Sequence, residues 1–140
     1  MLILDTNVLS ELMKPSPDRH VARWLSTLDD ARLATTTITC FEIAYGLERL
    51  ATGKRQTALQ QRFEALCAPL VILSFEPASA TLAGQFRALR DLVGLPTTAS
   101  DMMIAGIAAA HDAILATRNA KDFTQLPIRV INPWNYSDDS

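Results

Sequence analysis

The first residues of the chain restrict its fold more than any other stretch. Three consecutive apolar residues, Leu2 to Leu4, run directly into Asp5, Thr6 and Asn7. Such a short, unbroken apolar run is typical of a strand that is buried on both faces, as in a parallel sheet covered by helices. Asp5 would then lie at the carboxyl end of the strand, where open α/β sheets bind their ligands. A purely structural alternative is that Asp5 or Thr6 caps a helix that begins near Asn7.

Short apolar runs and helical patterns alternate through the rest of the chain. Four further runs are strand candidates: Leu33–Thr35, Leu70–Leu73, Ala113–Ala116 and Ile128–Ile131. Apolar residues at helical spacing predict helices over about 18–28, 39–50, 55–66, 76–93 and 98–109. The alternation predicts an α/β fold with a central, mostly parallel sheet of about five short strands flanked by helices. With 140 residues, we expect one domain over residues 1–136 and a frayed tail over 137–140.

Two of these helices are predicted in more detail. Thr39 and Glu42 have the T-x-x-E spacing of a capping box, which would begin a helix at Thr39 and place Glu42 at its third position. In the long helix over 76–93, one apolar face is expected to point into the core: Leu82, Phe86, Leu89 and Val93.

The composition narrows the class of protein. Cys40 and Cys67 fall in apolar helical patterns, which favours two reduced, buried thiols over a disulfide or a metal site. No apolar run approaches the roughly 20 residues that a membrane span needs. The amino terminus also lacks the basic start and long apolar stretch of a signal peptide. We therefore expect a cytoplasmic protein that does not enter a membrane.

Four polar residues are expected at the same edge of the predicted sheet. Asp5 follows the first strand, Asn119 follows the fourth, and Glu42 and Asp101 lie in the first turns of helices. In a parallel sheet, strand carboxyl ends and the following helix amino ends lie on one edge, so the four side chains can converge. Each acid alone has a structural explanation, as a cap or as an acid favoured by the helix dipole. Several carboxylates on one edge, however, repel each other unless a cation is present or some of them protonate.

The residue types at this edge suggest a chemistry. Oxygen ligands without His or Cys suit Mg²⁺ or Mn²⁺ rather than zinc. Such a cation can lower the pKa of a bound water and stabilise the charge on a phosphodiester during its hydrolysis. The formal net charge of −2 is a mild argument against nucleic-acid binding, because phosphate contacts usually need a basic surface. That argument weakens where a metal cancels local negative charge.

At these residues the chain resembles a PIN domain. The similarity rests on an ordered set of motifs: Leu4-Asp5-Thr6-Asn7, Glu42 after a threonine-rich strand exit, Asp101 followed by Ile104-Ala105, and Ala116-Thr117-Arg118-Asn119 with Asp122-Phe123. The closing Asn132-Pro133-Trp134 is similar to the VapC and FitB-like toxin branch. The set covers nearly the whole chain and is specific as a set, although no single motif is.

The resemblance implies a function and a group of site residues. It implies a Mg²⁺- or Mn²⁺-dependent ribonuclease, the toxin of a type II toxin–antitoxin pair. By the same resemblance, Asp5, Glu42 and Asp101 are the catalytic and metal-site acids. Asn119 stands where many family members carry a fourth acid, so either Asp122 supplies that acid or the site uses three acids and an amide. We expect Asn119 to be the ligand, because Asp122 must reach back from about one turn further on.

Substrate and partners follow from the same assignment. Four residues beside the acids are candidates for RNA binding: Thr6, Asn7, Thr117 and Arg118. Arg118 is the best candidate for a phosphate contact, because it adjoins the site. The resemblance implies a homodimer inhibited by a cognate antitoxin with its own DNA-binding domain. We expect an apolar, two-fold interface on the helices that carry Leu59, Phe63, Leu82 and Phe86.

Two other classes of protein compete with this interpretation. A receiver-like signalling domain would need an acidic pair near the first strand and a Lys directly after a late strand, but Asp5 stands alone and no Lys directly follows Ala116. A catalytically silent PIN fold could act only as a binding module in a DNA-regulatory toxin–antitoxin complex. The retained acids oppose that alternative without excluding it.

Overall fold

Five short parallel strands form one sheet in the computed structural model, which describes residues 1–28 and 32–138. They are β1 (Leu2–Leu4), β2 (Leu33–Thr36), β3 (Val71–Leu73), β4 (Ile114–Ala116) and β5 (Arg129–Ile131). The strand order is β3-β2-β1-β4-β5, and every neighbouring pair is parallel. β1 is therefore the central strand, and Ile3 is fully buried. The predicted parallel α/β fold is confirmed.

Helices cover both faces of this sheet. Within the described residues they are α1 (Thr6–Leu12), α2 (Arg19–Ser26), α3 (Thr37–Glu48), α4 (Lys54–Cys67), α5 (Pro77–Leu92) and α6 (Ala99–Ala110). Two short 3₁₀ turns follow, Ala120–Phe123 and Pro133–Asn135. No helix in this part of the chain combines the length and the apolar character that crossing a membrane requires.

Side chains of β1 alternate between two apolar clusters, as the pleat of a strand requires. Ile3 packs in the cluster that contains residues of α5 and α6, whereas Leu2 and Leu4 pack in the cluster formed with α1, α2 and α3. The central strand is thus fixed from both faces. Residues that follow it, beginning with Asp5, are held in a defined position.

The carboxyl ends of the central strands lie on one edge. Leu4 is in register with Ala116, and the backbone N–H of Asp5 donates to the Ala116 carbonyl at 3.0 Å. The N–H of Thr117 donates to the carbonyl of Ile131 at 3.0 Å. The segments that leave β1, β4 and β5 therefore begin side by side.

The predicted capping box at Thr39 and Glu42 is wrong. Thr36, the last residue of β2, caps α3 instead, and its Oγ1 accepts from the Thr39 N–H at 3.1 Å. α3 consequently begins at Thr37, and Glu42 lies in its second turn. The threonine-rich segment offers several possible caps, and the buried end of β2 determines which one is used.

The predicted inward face of α5 is only partly correct. Phe86 is buried and Leu82 half-buried, but Leu89 is 39% exposed and Val93 is 52% exposed. Near the end of the helix it is Arg90 that is buried, with 1% exposure. Its guanidinium donates to backbone carbonyls of neighbouring segments, which turns this face of the helix inward and leaves the apolar neighbours outside.

The structure also bears on the predictions for the two cysteines, the carboxyl-terminal tail and the dimer interface. Cys40 and Cys67 are free, as expected, but half-buried rather than buried, and burial raises the pKa of both thiols. In the expected frayed tail, Asp138 pairs with Arg23, and residues 139 and 140 lie outside the described residues. On one of the helices expected at a dimer interface, Phe86 is 5% exposed and belongs to the core, so this side chain is not available for such a contact.

Candidate active site

A cavity of about 530 Å³ opens at the carboxyl edge of the sheet. Four of its lining residues are those predicted to converge there: Asp5, Glu42, Asp101 and Asn119. The segment after β1, α3, α6 and the segment after β4 each contribute one of them. The sheet topology therefore brings together residues that are up to 114 positions apart, as the difference between positions 5 and 119 shows.

Asp5 has the capping role that the sequence offered, and it also faces the cavity. It caps α1, because its Oδ1 accepts from the Thr6 N–H at 2.6 Å, and it also lines the cavity. The amide Nδ2 of Asn7 lies 3.3 Å from Oδ2 of Asp5 and donates to it. The side chain is 3% exposed, so this carboxylate is held firmly in a largely dry environment.

Burial is the main influence on the charge of Asp5. Burial is the largest cause that raises the pKa of this carboxyl, the carboxylates of Asp101 and Glu42 add to the rise, and the net value is about 6 instead of 3.8. Hydrogen bonds from Thr117 and Thr6 oppose the rise in pKa. A buried acid with carboxylates as neighbours is the electrostatic environment that a bound cation relieves.

Glu42 points into the same cavity from the second turn of α3. The hydroxyl of Thr6 donates to its Oε1 at 2.8 Å, and the Thr6 Oγ1 also lies 3.0 Å from Oγ1 of Thr39. Thr6 therefore links the cap of α1 to the acid on α3. Its role in the structure is to orient Glu42.

Asp101 lies in the first turn of α6, as predicted. Thr98 caps this helix, and its Oγ1 accepts from the Asp101 N–H at 3.2 Å. Burial raises the pKa of Asp101, and Asp122 and Glu42 raise it further, whereas the Thr98 hydrogen bond and the Arg90 guanidinium lower it. All three predicted acids thus influence one another electrostatically.

Asn119 and Asp122 occupy different positions at this edge. Asn119 is exposed and lines the cavity, and its N–H donates to Thr117 Oγ1 at 3.2 Å. Asp122 is half-buried in the 3₁₀ turn and is close enough to raise the pKa of Asp101, but it is outside the cavity lining. Neither Arg118 nor Lys121 forms an ion pair with Asp122 in the described residues.

Metal titration of two variants separates these positions. We expect Asn119→Asp to tighten Mn²⁺ binding, because it adds a charge at the cavity wall. Asp122→Ala should weaken Mn²⁺ binding less than Asp5→Asn does, since Asp122 acts from outside the wall. Mn²⁺ affinities measured by electron paramagnetic resonance show which of the two residues contributes to metal binding. An unchanged affinity in Asn119→Asp would place Asn119 outside the ligand set.

The remaining substrate-binding candidates lie beside Asp5. Asn7 accepts at Oδ1 from the Arg118 N–H at 2.9 Å, so it connects the segment after β4 to α1. Thr117 is fully buried and donates to the Asp5 carboxylate, which makes it a support for that acid. Arg118 is exposed at the rim of the cavity.

The donor set fits a hard cation. The cavity presents carboxylate and amide oxygens, and neither His nor Cys is among its lining residues. In residues 1–28 and 32–138, no Lys or Arg forms an ion pair with Asp5, Glu42 or Asp101. The same residues contain no group of three acids close enough to hold one ion as they stand. The carboxylates are thus neighbours that repel one another, and they do not converge on a single position.

Three residues near the site were not predicted to act there. Lys14 and Trp134 line the cavity, and Lys14 is paired with Glu11 at 3.0 Å. Arg90 connects the segments on either side of Asp101, through Nη2 to the Pro96 carbonyl at 3.0 Å and Nη1 to the Thr124 carbonyl at 2.7 Å. Only Trp134 carried a sequence signal, as part of the closing Asn-Pro-Trp motif.

Comparison with known proteins agrees with this geometry. Toxin FitB of Neisseria gonorrhoeae is 34% identical over 138 residues, which are 96% of this chain and 99% of the relative. VapC ribonuclease Y4jK of Sinorhizobium fredii is 34% identical over 137 residues, 96% of this chain and 98% of the relative. The solved structure of FitAB bound to the IR36 DNA fragment has a TM-score of 0.88 at 33% identity and covers 100% of both chains.

The family model described as PIN domain matches residues 2–128 of this chain. That range contains all the acids at the carboxyl edge and the first four of the five strands. The matched range, the full-length relatives and the sheet topology lead to the same assignment. The chain belongs to the PIN domain family.

Proposed function

We propose that the protein is a metal-dependent endoribonuclease and the toxin of a type II toxin–antitoxin pair. The observation that supports this most strongly is the group Asp5, Glu42 and Asp101, which lines one cavity without an ion-pairing Lys or Arg in the described residues. Relatives named as a toxin and as a ribonuclease match this chain over nearly its whole length. Because cellular RNA is the proposed substrate, we also propose that the protein acts in the cytoplasm.

Mg²⁺ or Mn²⁺ is the proposed cofactor. Asp5, Glu42 and Asp101 would hold it, with Asn119 completing the set. When bound, such a cation activates water and stabilises the charge that develops on the phosphodiester. The chain supplies the orientation: Thr6 holds Glu42 at 2.8 Å, Asn7 holds Asp5 at 3.3 Å, and the Thr98 cap positions Asp101.

The proposed partners follow from the family branch. We infer an antitoxin that carries a DNA-binding domain, in line with the DNA-bound FitAB structure. A basic side chain of the antitoxin at the acidic cavity would neutralise these carboxylates. A homodimer is also proposed, and α5 offers apolar surface for it near its carboxyl end, where Leu92 is 83% exposed.

Cleavage of labelled RNA by the purified protein tests the proposal. We expect cleavage with Mg²⁺ or Mn²⁺ and none with EDTA. Asp101→Asn should lower the rate by about a hundredfold or more, because it removes a carboxylate from the reacting site. Asp91→Asn, at an exposed position on α5, is the matched control and should cleave like the wild type.

The outcome also separates the two functions that the sequence left open. A silent binding module predicts no cleavage by the wild type with either metal. Folded Asp101→Asn that cleaves RNA at a near-normal rate would contradict the assignment of the acids. Thermal melting of each variant shows whether the fold is retained.

A further inference from the structure

Arg118 and Trp134 form one wall of the acidic cavity. The guanidinium carbon of Arg118 lies 5.0 Å from the centroid of the Trp134 ring, within the range of a cation–π contact. Both residues line the cavity that contains Asp5, Glu42 and Asp101. The pair therefore brings a positive charge to a surface that carries several carboxylates.

A network of hydrogen bonds fixes this pair in place. Asn132 donates from Nδ2 to the Arg118 carbonyl at 3.2 Å and accepts at Oδ1 from the Trp134 N–H at 2.9 Å. Asn7 accepts from the Arg118 N–H at 2.9 Å. Pro133, between the two ends of this link, is buried. The Asn-Pro-Trp motif thus attaches the indole to the backbone that carries the arginine.

The charge of Arg118 is available to a ligand. Two cations line the cavity, and Lys14 is already paired with Glu11 at 3.0 Å. Arg118 is exposed and forms no ion pair within residues 1–28 and 32–138. A guanidinium that stacks on an aromatic ring keeps its in-plane N–H groups free, and their fork matches the oxygens of a phosphate.

Trp134 is poorly placed to stack on a nucleobase itself. It is half-buried and packs against the apolar cluster that contains Leu2 and Leu4. Arg118 lies over the ring, and both residues line the cavity. The indole is therefore a support for the guanidinium, and a phosphate, not a base, is the chemistry that the pair presents.

We propose that Trp134 holds Arg118 as a phosphate-binding subsite, which takes a backbone phosphate of RNA beside the one that is cleaved. This inference rests on the proposed ribonuclease function and adds a residue, Trp134, to it. The subsite also offsets the repulsion between the acidic cavity and a polyanionic substrate. Trp134 is a positioning residue that acts through Arg118.

A double-mutant cycle on RNA binding tests the subsite. All proteins carry Asp101→Asn, so that a labelled single-stranded RNA stays intact, and dissociation constants are measured over a range of salt concentrations. Arg118→Gln should weaken binding about tenfold. It should also reduce the slope of log K against log salt by about 0.7, the value for one phosphate contact on a single strand.

Trp134→Leu provides the sharper result. It should weaken binding about threefold when Arg118 is present and should have no further effect in Arg118→Gln, because the ring acts only through the guanidinium. Trp134→Phe keeps an aromatic face and should bind within about twofold of the parent. Arg129→Gln, a charge removal at the start of β5 on the opposite edge, should leave the salt slope unchanged.

Each other outcome overturns a defined part of the proposal. Equal losses from Trp134→Leu with and without Arg118 would show that the ring binds a base directly. An unchanged salt slope in Arg118→Gln would remove the subsite while leaving the ribonuclease function intact. No RNA binding by the parent protein would overturn the proposed function and the subsite together. If Trp134→Leu melts early, a loss in the well-folded Trp134→Phe as large as that in Arg118→Gln would contradict the proposal.

Discussion

Asp5→Asn is expected to abolish RNA cleavage and, at the same time, to stabilise the metal-free protein at pH 8. The substitution removes a carboxylate from the cavity, and the rate should fall by about a hundredfold or more. The amide retains the shape of the side chain and the oxygen that accepts from the Thr6 N–H at 2.6 Å in the wild type, and it loses the weaker acceptor that Asn7 uses at 3.3 Å. The fold should therefore survive the change.

The gain in stability comes from burial. Burial raises the pKa of Asp5 to about 6 from its ordinary 3.8, so the folded protein holds this proton more tightly than the unfolded chain does. Ionised Asp5 consequently lowers the free energy of unfolding above pH 6, and protonation removes that cost as the pH falls towards 4. A pKa difference of about 2 corresponds to about 3 kcal/mol. Asp5→Asn should recover much of this at pH 8 and little near pH 4.

Urea unfolding in EDTA at pH 8 and at pH 4.5 measures both parts of this expectation. The wild type should become more stable relative to Asp5→Asn as the pH falls. Asp91→Asn, which changes an exposed acid on α5, is the matched control. Adding Mn²⁺ should raise the melting temperature of the wild type and leave that of Asp5→Asn nearly unchanged. Equal destabilisation by Asp5→Asn at both pH values would contradict the account.

The positions of Asp5 and Asp101 could be predicted because local signals determine them. Asp5 directly follows the apolar run of a central strand, and Asp101 follows the Thr98 cap by three residues. Each signal lies within a few residues of the acid that it positions. In the parallel sheet, the carboxyl end of β1 and the amino end of α6 lie at the same edge. The topology alone therefore brings the two acids together.

Glu42 was predicted at the correct edge for a wrong local reason. A capping box at Thr39 explained its position, whereas the cap is Thr36 and Glu42 accepts from Thr6 on another element. Several threonines in this segment satisfy the local preference equally well. Only the end of β2, which pairing with β1 and β3 determines, distinguishes between them.

Arg90 and the Arg118–Trp134 pair depend on contacts that no local pattern contains. The partners of Arg90 are the carbonyls of Pro96 and Thr124, the second of which is 34 residues away. Arg118 meets Trp134 because β4 and β5 are neighbours, so the segments that leave them run side by side. The helical pattern of α5 favours an apolar residue at position 90. In the folded chain an arginine occupies it, and the two backbone carbonyls accept hydrogen bonds from its guanidinium.

Gly106→Ala is expected to destabilise the protein strongly. A methyl group at this position of α6 would lie 2.3 Å from the Ser79 carbonyl oxygen and 3.0 Å from the Ala83 nitrogen. Both are backbone atoms of α5, so no side-chain rotation can relieve the overlap and the two helices must separate. We expect a loss of about 3 kcal/mol, the upper end for overpacking in a core. For a chain of this size the melting temperature should fall by roughly 10 °C.

Gly84→Ala is the matched control on the opposing helix. Gly84 is exposed on α5 and a methyl group there would meet nothing within 4 Å. Alanine favours a helix more than glycine does, so this variant should gain about 0.5–1 kcal/mol. Unfolding in urea compares the two variants, and opposite signs are the expected result. If both glycines tolerated alanine equally, α5 and α6 would not be in close contact at Gly106. The Thr98 cap and the Arg90 contacts alone would then have to determine the position of Asp101 on α6.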